Sequence, residues 1–250
     1  MAAFTSSAEF YEVLADSAAR LAREGPFLRA CLEGAPGNRV VDLACGTGLH
    51  ALFMAGEGAE VSAMDISGEM VAHAAVRRPH PAITYRQGDM CEVSGGPWDL
   101  ALCLGNSMSL LPSVDAAGTM FRAVFDCLSP GGIFAVQILN YQSPAAREPR
   151  HRVERAERDG REIVAVKSLV PHGARTLLSL AFYALSGERY TMASEAAVLL
   201  HLTQEDLAGS AGAAGFDEVE ILGSFDGNPL DPEKSSDLIC VVRKPQQEVT

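Results

Sequence analysis

The segment Val40-Val41-Asp42-Leu43-Ala44-Cys45-Gly46-Thr47-Gly48-Leu49-His50-Ala51 constrains this chain more than any other. A short apolar run, suited to a buried strand, passes through one acid, enters a turn with two glycines and leaves in a helical pattern. Strand, turn and helix in that order open an α/β unit with a parallel sheet. Gly46 and Gly48 supply positions without a Cβ, as a sharp turn that lets a ligand touch the backbone requires. With Ala51 they fit the G-x-G-x-x-G/A spacing of a dinucleotide turn, and Asp65 follows near where a ribose-binding acid belongs. The glycine spacing alone therefore leaves the ligand open. Asp42 narrows it, because a dinucleotide sets its pyrophosphate at the helix N-terminus, where a nearby carboxylate repels it. An acidic, glycine-lined turn suits a cationic ligand end instead.

Later segments continue the alternation. Val61-Ser62-Ala63-Met64-Asp65 reads as a second strand ending in an acid, and Gln87-Gly88-Asp89-Met90 as the loop after a third. Trp98-Asp99-Leu100-Ala101-Leu102-Cys103-Leu104 reads as a fourth strand, and Leu128-Ser129-Pro130-Gly131-Gly132 as the turn before a fifth. Taken alone, Asp65 also suits a helix N-cap and Asp89 a turn.

Together these five segments resemble the class I S-adenosylmethionine-dependent methyltransferases, whose first motif has the form V-h-D-h-G/A-C-G-T-G, with h apolar. The resemblance covers about residues 40 to 140. It implies S-adenosyl-L-methionine as cofactor, held by Asp42, Ala44, Gly46, Thr47 and Gly48 of the first turn. It also implies Asp65 and Ile66 at the ribose, Met70, Asp89 and Met90 near the adenine, and Leu104 and Gly105 at the methionine ammonium. The implied fold is α/β: a seven-stranded, doubly wound, Rossmann-like sheet, the seventh strand entering antiparallel between the fifth and sixth.

The chain has 250 residues, 48% of them hydrophobic, enough to bury the core of a single domain. Four regions are expected within it. Residues 1–36 read as an N-terminal helical lid of two helices broken near Gly25-Pro26, and 37–141 as the cofactor-binding core. Residues 142–202 read as an antiparallel insertion over the acceptor site. Its strands span 152–158, 162–170, 174–185 and 189–202, with turns at Asp159-Gly160, His172-Gly173 and Ser186-Gly187. Residues 203–250 supply the last helix, capped by Thr203, and two strands over 216–222 and 238–242.

A formal net charge of −12 argues against a nucleic-acid partner, whose phosphates need Lys and Arg. No apolar run is long enough to span a membrane, and Glu9, Glu12 and Asp16 interrupt any secretory signal, so a cytoplasmic location is expected. The six cysteines show no C-x-x-C spacing, so no metal site is expected and buried thiols are. A small-molecule acceptor is the expected partner, and a homodimer is compatible with the sequence.

Leu104-Gly105-Asn106-Ser107, Asn140-Tyr141 and the hairpins that follow resemble the glycine and sarcosine N-methyltransferases, which implies transfer to nitrogen in preference to oxygen. No arginine aligns with the one that would hold an amino-acid carboxylate, although Arg175 and Arg189 lie in the corresponding segment. Tyr11, His50, Asn106 and Tyr141 are the candidates for the catalytic acceptor zone. Methyl transfer is an in-line displacement whose leaving group departs neutral, so positioning can supply much of the rate without an acid–base dyad. An NAD-dependent oxidoreductase, from the glycine spacing, and a non-catalytic protein retaining the fold both stay open.

Overall fold

The computed structural model describes residues 8–14, 17–158 and 160–246. Two helices lead, α1 (Ala8–Leu14) and α2 (Ser17–Gly34), followed by β1 (Arg39–Leu43), α3 (Leu49–Gly56), β2 (Glu60–Asp65), α4 (Gly68–Arg77) and β3 (Ile83–Gln87). Then come β4 (Trp98–Cys103), α5 (Val114–Cys127) and the long β5 (Leu128–Leu139). Four strands follow without an intervening α-helix, β6 (Arg150–Arg158), β7 (Arg161–His172), β8 (Arg175–Ser186) and β9 (Arg189–Leu200). The chain returns through α6 (Gln204–Ala214), β10 (Glu218–Leu222) and β11 (Asp237–Arg243).

The main sheet has seven strands in the order β10-β11-β5-β4-β1-β2-β3. Pairing is parallel from β5 to β3, while β11 runs antiparallel to both β5 and β10. The order reverses between β1 and β4, and such a switch point opens a crevice at the carboxyl ends of the strands. Helices cover both faces, so the central strands are apolar on both sides. On one side Val41, Leu43, Ala101, Cys103, Phe134 and Val136 pack with Phe121 and Leu207 of α5 and α6. On the other, Val40, Leu100, Leu102 and Ala135 meet Leu28 of α2 and Met54 of α3. Burying each such side chain contributes about 1.5–3 kcal/mol, which makes this layered core the main source of stability.

The insertion is a separate four-stranded meander, β6-β7-β8-β9, paired antiparallel throughout. Its inner face gives Ala165, Leu178, Leu180, Phe182 and Leu199 to a third apolar cluster with Leu14 and Tyr141, against which Phe10 and Tyr11 pack. The rings of Phe10 and Phe182 stack with centroids 5.9 Å apart. This sheet, hereafter the roof, and α1 are thereby one packed unit.

Three local expectations need correction. The helix is not broken near Gly25-Pro26: Pro26 lies inside α2. Proline forfeits one helical hydrogen bond, yet Phe27, Leu28 and Cys31 keep the stripe buried across it, so packing outweighs the local penalty. Leu128–Gly132 is drawn into the start of β5, with a register irregularity opposite Trp98 to Leu100. Phe216 precedes β10, because Gly215 ends α6 with a left-handed φ of 106° and the Phe216 amide bonds back to the Ala211 carbonyl. Of the expected turn Asp159-Gly160, Asp159 lies outside the described residues, as do residues 1–7 of the expected lid. No described helix is long and apolar enough to cross a membrane.

Candidate active site

The carboxyl ends of β1, β2 and β4 meet beneath α1 and α2. After β1 the backbone turns left-handed at Ala44 (φ 57°), Gly46 (54°) and Gly48 (81°). At Gly48 a Cβ would stand 2.6 Å from the Tyr85 hydroxyl, so the position excludes a side chain on space as well as on φ. Asp65, at the end of β2, braces this turn. Its Oδ2 accepts from the Gly46 amide at 2.8 Å and its Oδ1 from the Ser67 amide at 2.9 Å. Burial raises its pKa and those amide donors oppose the rise. Next to it, Ile66 is largely exposed, and Met70 is buried on the first turn of α4 beneath the Ser67 cap.

Asp42 is the most unusual carboxylate of the group. It is 1% exposed, and Oδ2 has no hydrogen-bond partner among the described residues. Burial pushes its pKa up to about 7, with Asp65 adding to the rise and Arg20 opposing it. A buried acceptor without a donor costs free energy, so this atom is built to receive something.

Arg20, on α2, was not legible in the motif. Its guanidinium reaches the backbone after β4 so closely that a Cβ on Gly105 would stand 2.9 Å from it. Arg20 Nε donates to Glu24 at 3.1 Å. Glu24 is buried, and it also accepts from Arg23 at 3.0 Å and lies 2.7 Å from His50 Nε2. Burial would raise the Glu24 pKa, but His50 and the two guanidiniums hold it at about 2. Burial lowers the His50 pKa, so the neutral ring donates Nε2–H to Glu24. The available signal was Glu24 itself, an acid at helical spacing with Phe27, Leu28 and Cys31 on an apolar stripe.

Tyr11, Ser17, Arg20, Ala44–Thr47, His50, Leu104, Gly105 and Ser107 together line a cleft of about 50 Å³. Of the four acceptor-zone candidates, Tyr11 and His50 are on its wall. Asn106 and Tyr141 form a second pair beside it. Asn106 Nδ2 donates to the Tyr141 hydroxyl at 2.8 Å, while Asn106 Oδ1 accepts from the Leu139 amide at 2.8 Å and the Ser109 hydroxyl at 3.0 Å. The Tyr141 ring stacks on His201 at 4.4 Å. Asp89 and Met90 lie apart from the cleft wall: Asp89 Oδ1 accepts from the Cys91 amide at 2.8 Å, and Met90 packs against the core. Arg175 donates to the Pro112 carbonyl and Arg189 stands at the far β8–β9 turn, so neither flanks the cleft. A larger depression of about 290 Å³ crosses the β10–β11 edge and contains none of the motif residues.

Residues 40–132 match the family model of the methyltransferase domain. This segment is similar to methyltransferase domains. The match begins in β1 and ends in β5, so it contains the whole glycine turn, Asp65 and Asp89. Mouse glycine N-methyltransferase is 28% identical over 144 residues, 51% of this chain and 49% of that protein. A ubiquinone biosynthesis O-methyltransferase of Xanthomonas campestris is 34% identical over 116 residues, 44% and 46% of the two chains. The chain thus spans about half the length of the curated relatives it matches. The S-adenosylmethionine-bound structure of an amino pentose methyltransferase from Micromonospora echinaspora shares the fold with a TM-score of 0.70, at 23% identity over 94% of each chain. That likeness covers more of the chain than the residues matched by the family model.

Proposed function

We propose that this protein transfers a methyl group from S-adenosylmethionine to a small-molecule acceptor, on nitrogen in preference to oxygen. The observation that carries the reading is the pairing of an acid and a base at one turn. Asp42 offers a buried carboxylate oxygen without a partner just behind the cleft wall, and Arg20, close enough to oppose the rise in the Asp42 pKa, brings a guanidinium to Gly105 on that wall. An amino-acid end, cationic and anionic at once, fits such a pair, whereas the pyrophosphate of a dinucleotide would meet a buried acid. The residues therefore fit the cofactor. Asp42 would take its ammonium and Arg20 its carboxylate, with Asp65 toward the ribose and Met70 toward the adenine. S-adenosylmethionine supplies a methyl group already activated by a sulfonium.

The protein's own contribution is to hold the acceptor in line and to exclude water, which can supply roughly 7–11 kcal/mol of the barrier. The roof cluster of Tyr11, Tyr141, Leu178 and Phe182 gives an apolar wall to that space. A phenol or alcohol would need a positioned base. His50 commits Nε2 to Glu24, and the Tyr141 hydroxyl is bonded to Asn106. An amine can shed its proton to water before it binds, which is why nitrogen is favoured. The test is a panel of small primary amines and matched phenols with labelled methyl donor. Transfer to amines supports the reading, and transfer to phenols alone overturns the nitrogen preference.

A further inference from the structure

The inner face of the β6–β9 sheet is mostly apolar, and its cations collect along one strip. On β7, side chains alternate faces; Ile163 is buried on the inward register, and Ala165 and Leu169 join the cluster that contains Tyr11 and Tyr141. Lys167 lies between Ala165 and Leu169 in that inward register. Its ladder partners are Arg152 on β6 and Leu180 on β8, and Arg150 pairs with Leu169 one step along. Two adjacent strands therefore set three cations against an apolar wall, in a chain of net charge −12. Arg20, on the neighbouring cleft, adds a fourth that acts on Lys167.

Of the strip's three cations, only Arg152 has a carboxylate partner among the described residues. Glu154 is taken by Arg152 Nε at 2.5 Å. Glu195 stands two strands from Lys167, across Leu180, and has an interaction of its own. Among the described residues, no carboxylate lies within ion-pair distance of Lys167 or Arg150. Burial lowers the Lys167 pKa, and Arg152, Arg20 and Arg150 lower it further. Arg150 also acts on Tyr141, which places the strip beside the acceptor zone. An ammonium held half-buried among guanidiniums is costly until an anion joins it.

We propose that Lys167 and Arg150, with Arg152 at their margin, form an anion-binding subsite for the acceptor. The acceptor would then carry a carboxylate or a phosphate as well as the atom that is methylated. The inference rests on the methyl-transfer reading for what the subsite serves, but its anion can be tested without a methyl donor.

The experiment titrates the full chain, at constant ionic strength, with inorganic pyrophosphate and separately with acetate, by calorimetry. S-adenosylhomocysteine is titrated in parallel. Saturable binding of either anion is expected in the wild type, weakened at least about tenfold, or 1.4 kcal/mol, in K167M and in R150M, with recovery in K167R. Tighter pyrophosphate binding assigns a phosphate and tighter acetate binding a carboxylate. R150M, at an exposed position, serves if K167M does not fold. No saturable anion binding in the wild type, or equal binding in the variants, overturns the subsite. Loss of S-adenosylhomocysteine binding by the wild type instead overturns the cofactor assignment and leaves the anion result readable by itself.

Discussion

At the scale of single residues, Asp42 and Asp65 are both buried acids at one turn, yet their energetics differ. Asp65 is satisfied by two amides, whereas Asp42 retains an oxygen with no donor. Asp42→Asn should therefore stabilise the unliganded protein by about 1–3 kcal/mol at pH 8 while weakening S-adenosylhomocysteine binding. The sign follows from its raised pKa of about 7. The native fold binds the Asp42 proton more tightly than the unfolded chain, so the charged form costs stability as pH rises from 3.8 through 7. The gain in the variant should fade below pH 4, which chemical denaturation at several pH values would reveal. Asp65→Ala has the opposite balance. Two buried amides lose their acceptor, and a stability loss of about 1–3 kcal/mol should accompany a clear fall in cofactor affinity. An unchanged calorimetric affinity would remove Asp65 from the cofactor site.

At the scale of elements, α1 packs on the β6–β9 sheet and is also tied to the glycine turn by a side chain from the far end of α4. Arg78 donates to the Thr47 carbonyl at 2.7 Å and to Glu12 at 2.5 Å, joining the helix to the glycine turn. A charge-assisted bond of this kind is worth about 1.5–3 kcal/mol, so Arg78→Met should speed S-adenosylhomocysteine release roughly tenfold in stopped-flow. Release at the wild-type rate would mean that α1 does not gate the cleft. Elements were legible in the sequence wherever one local rule decided them. Thr203 with Asp206 forms the capping box that starts α6, and the insertion's glycine turns set its four strands. The sequence fails where tertiary packing overrides the local rule, as at Pro26, or where a helix end consumes a residue that suits a strand, as at Phe216.

At the scale of the whole molecule, the site is half contiguous and half assembled. The glycine turn and Asp65 belong to strand ends whose order the motif implies, so the sequence already contains them. Arg20, Glu24 and Lys167 arrive from the lid and the roof. Each is an ion on an apolar stripe, a weak signal until packing shows what it faces. The clamp that ties α2 to α3 through Glu24 and His50 also sets acid stability. Glu24, held at about 2, stabilises the fold above its unfolded value of 4.5, and that contribution is lost as pH falls from 4.5 through 2. Glu24→Gln should cost about 3 kcal/mol at pH 7 and flatten this limb of the pH–stability curve. An unchanged acid limb would show that the clamp does not hold the fold.

In the function proposed here, the Asp42 turn holds a sulfonium donor and not a dinucleotide. Calorimetric titration of the full chain with S-adenosylmethionine and with NAD tests it most directly. Saturable, one-to-one binding of S-adenosylmethionine and none of NAD is expected, with the former weakened in Asp42→Asn. Binding of NAD with no binding of S-adenosylmethionine would contradict it.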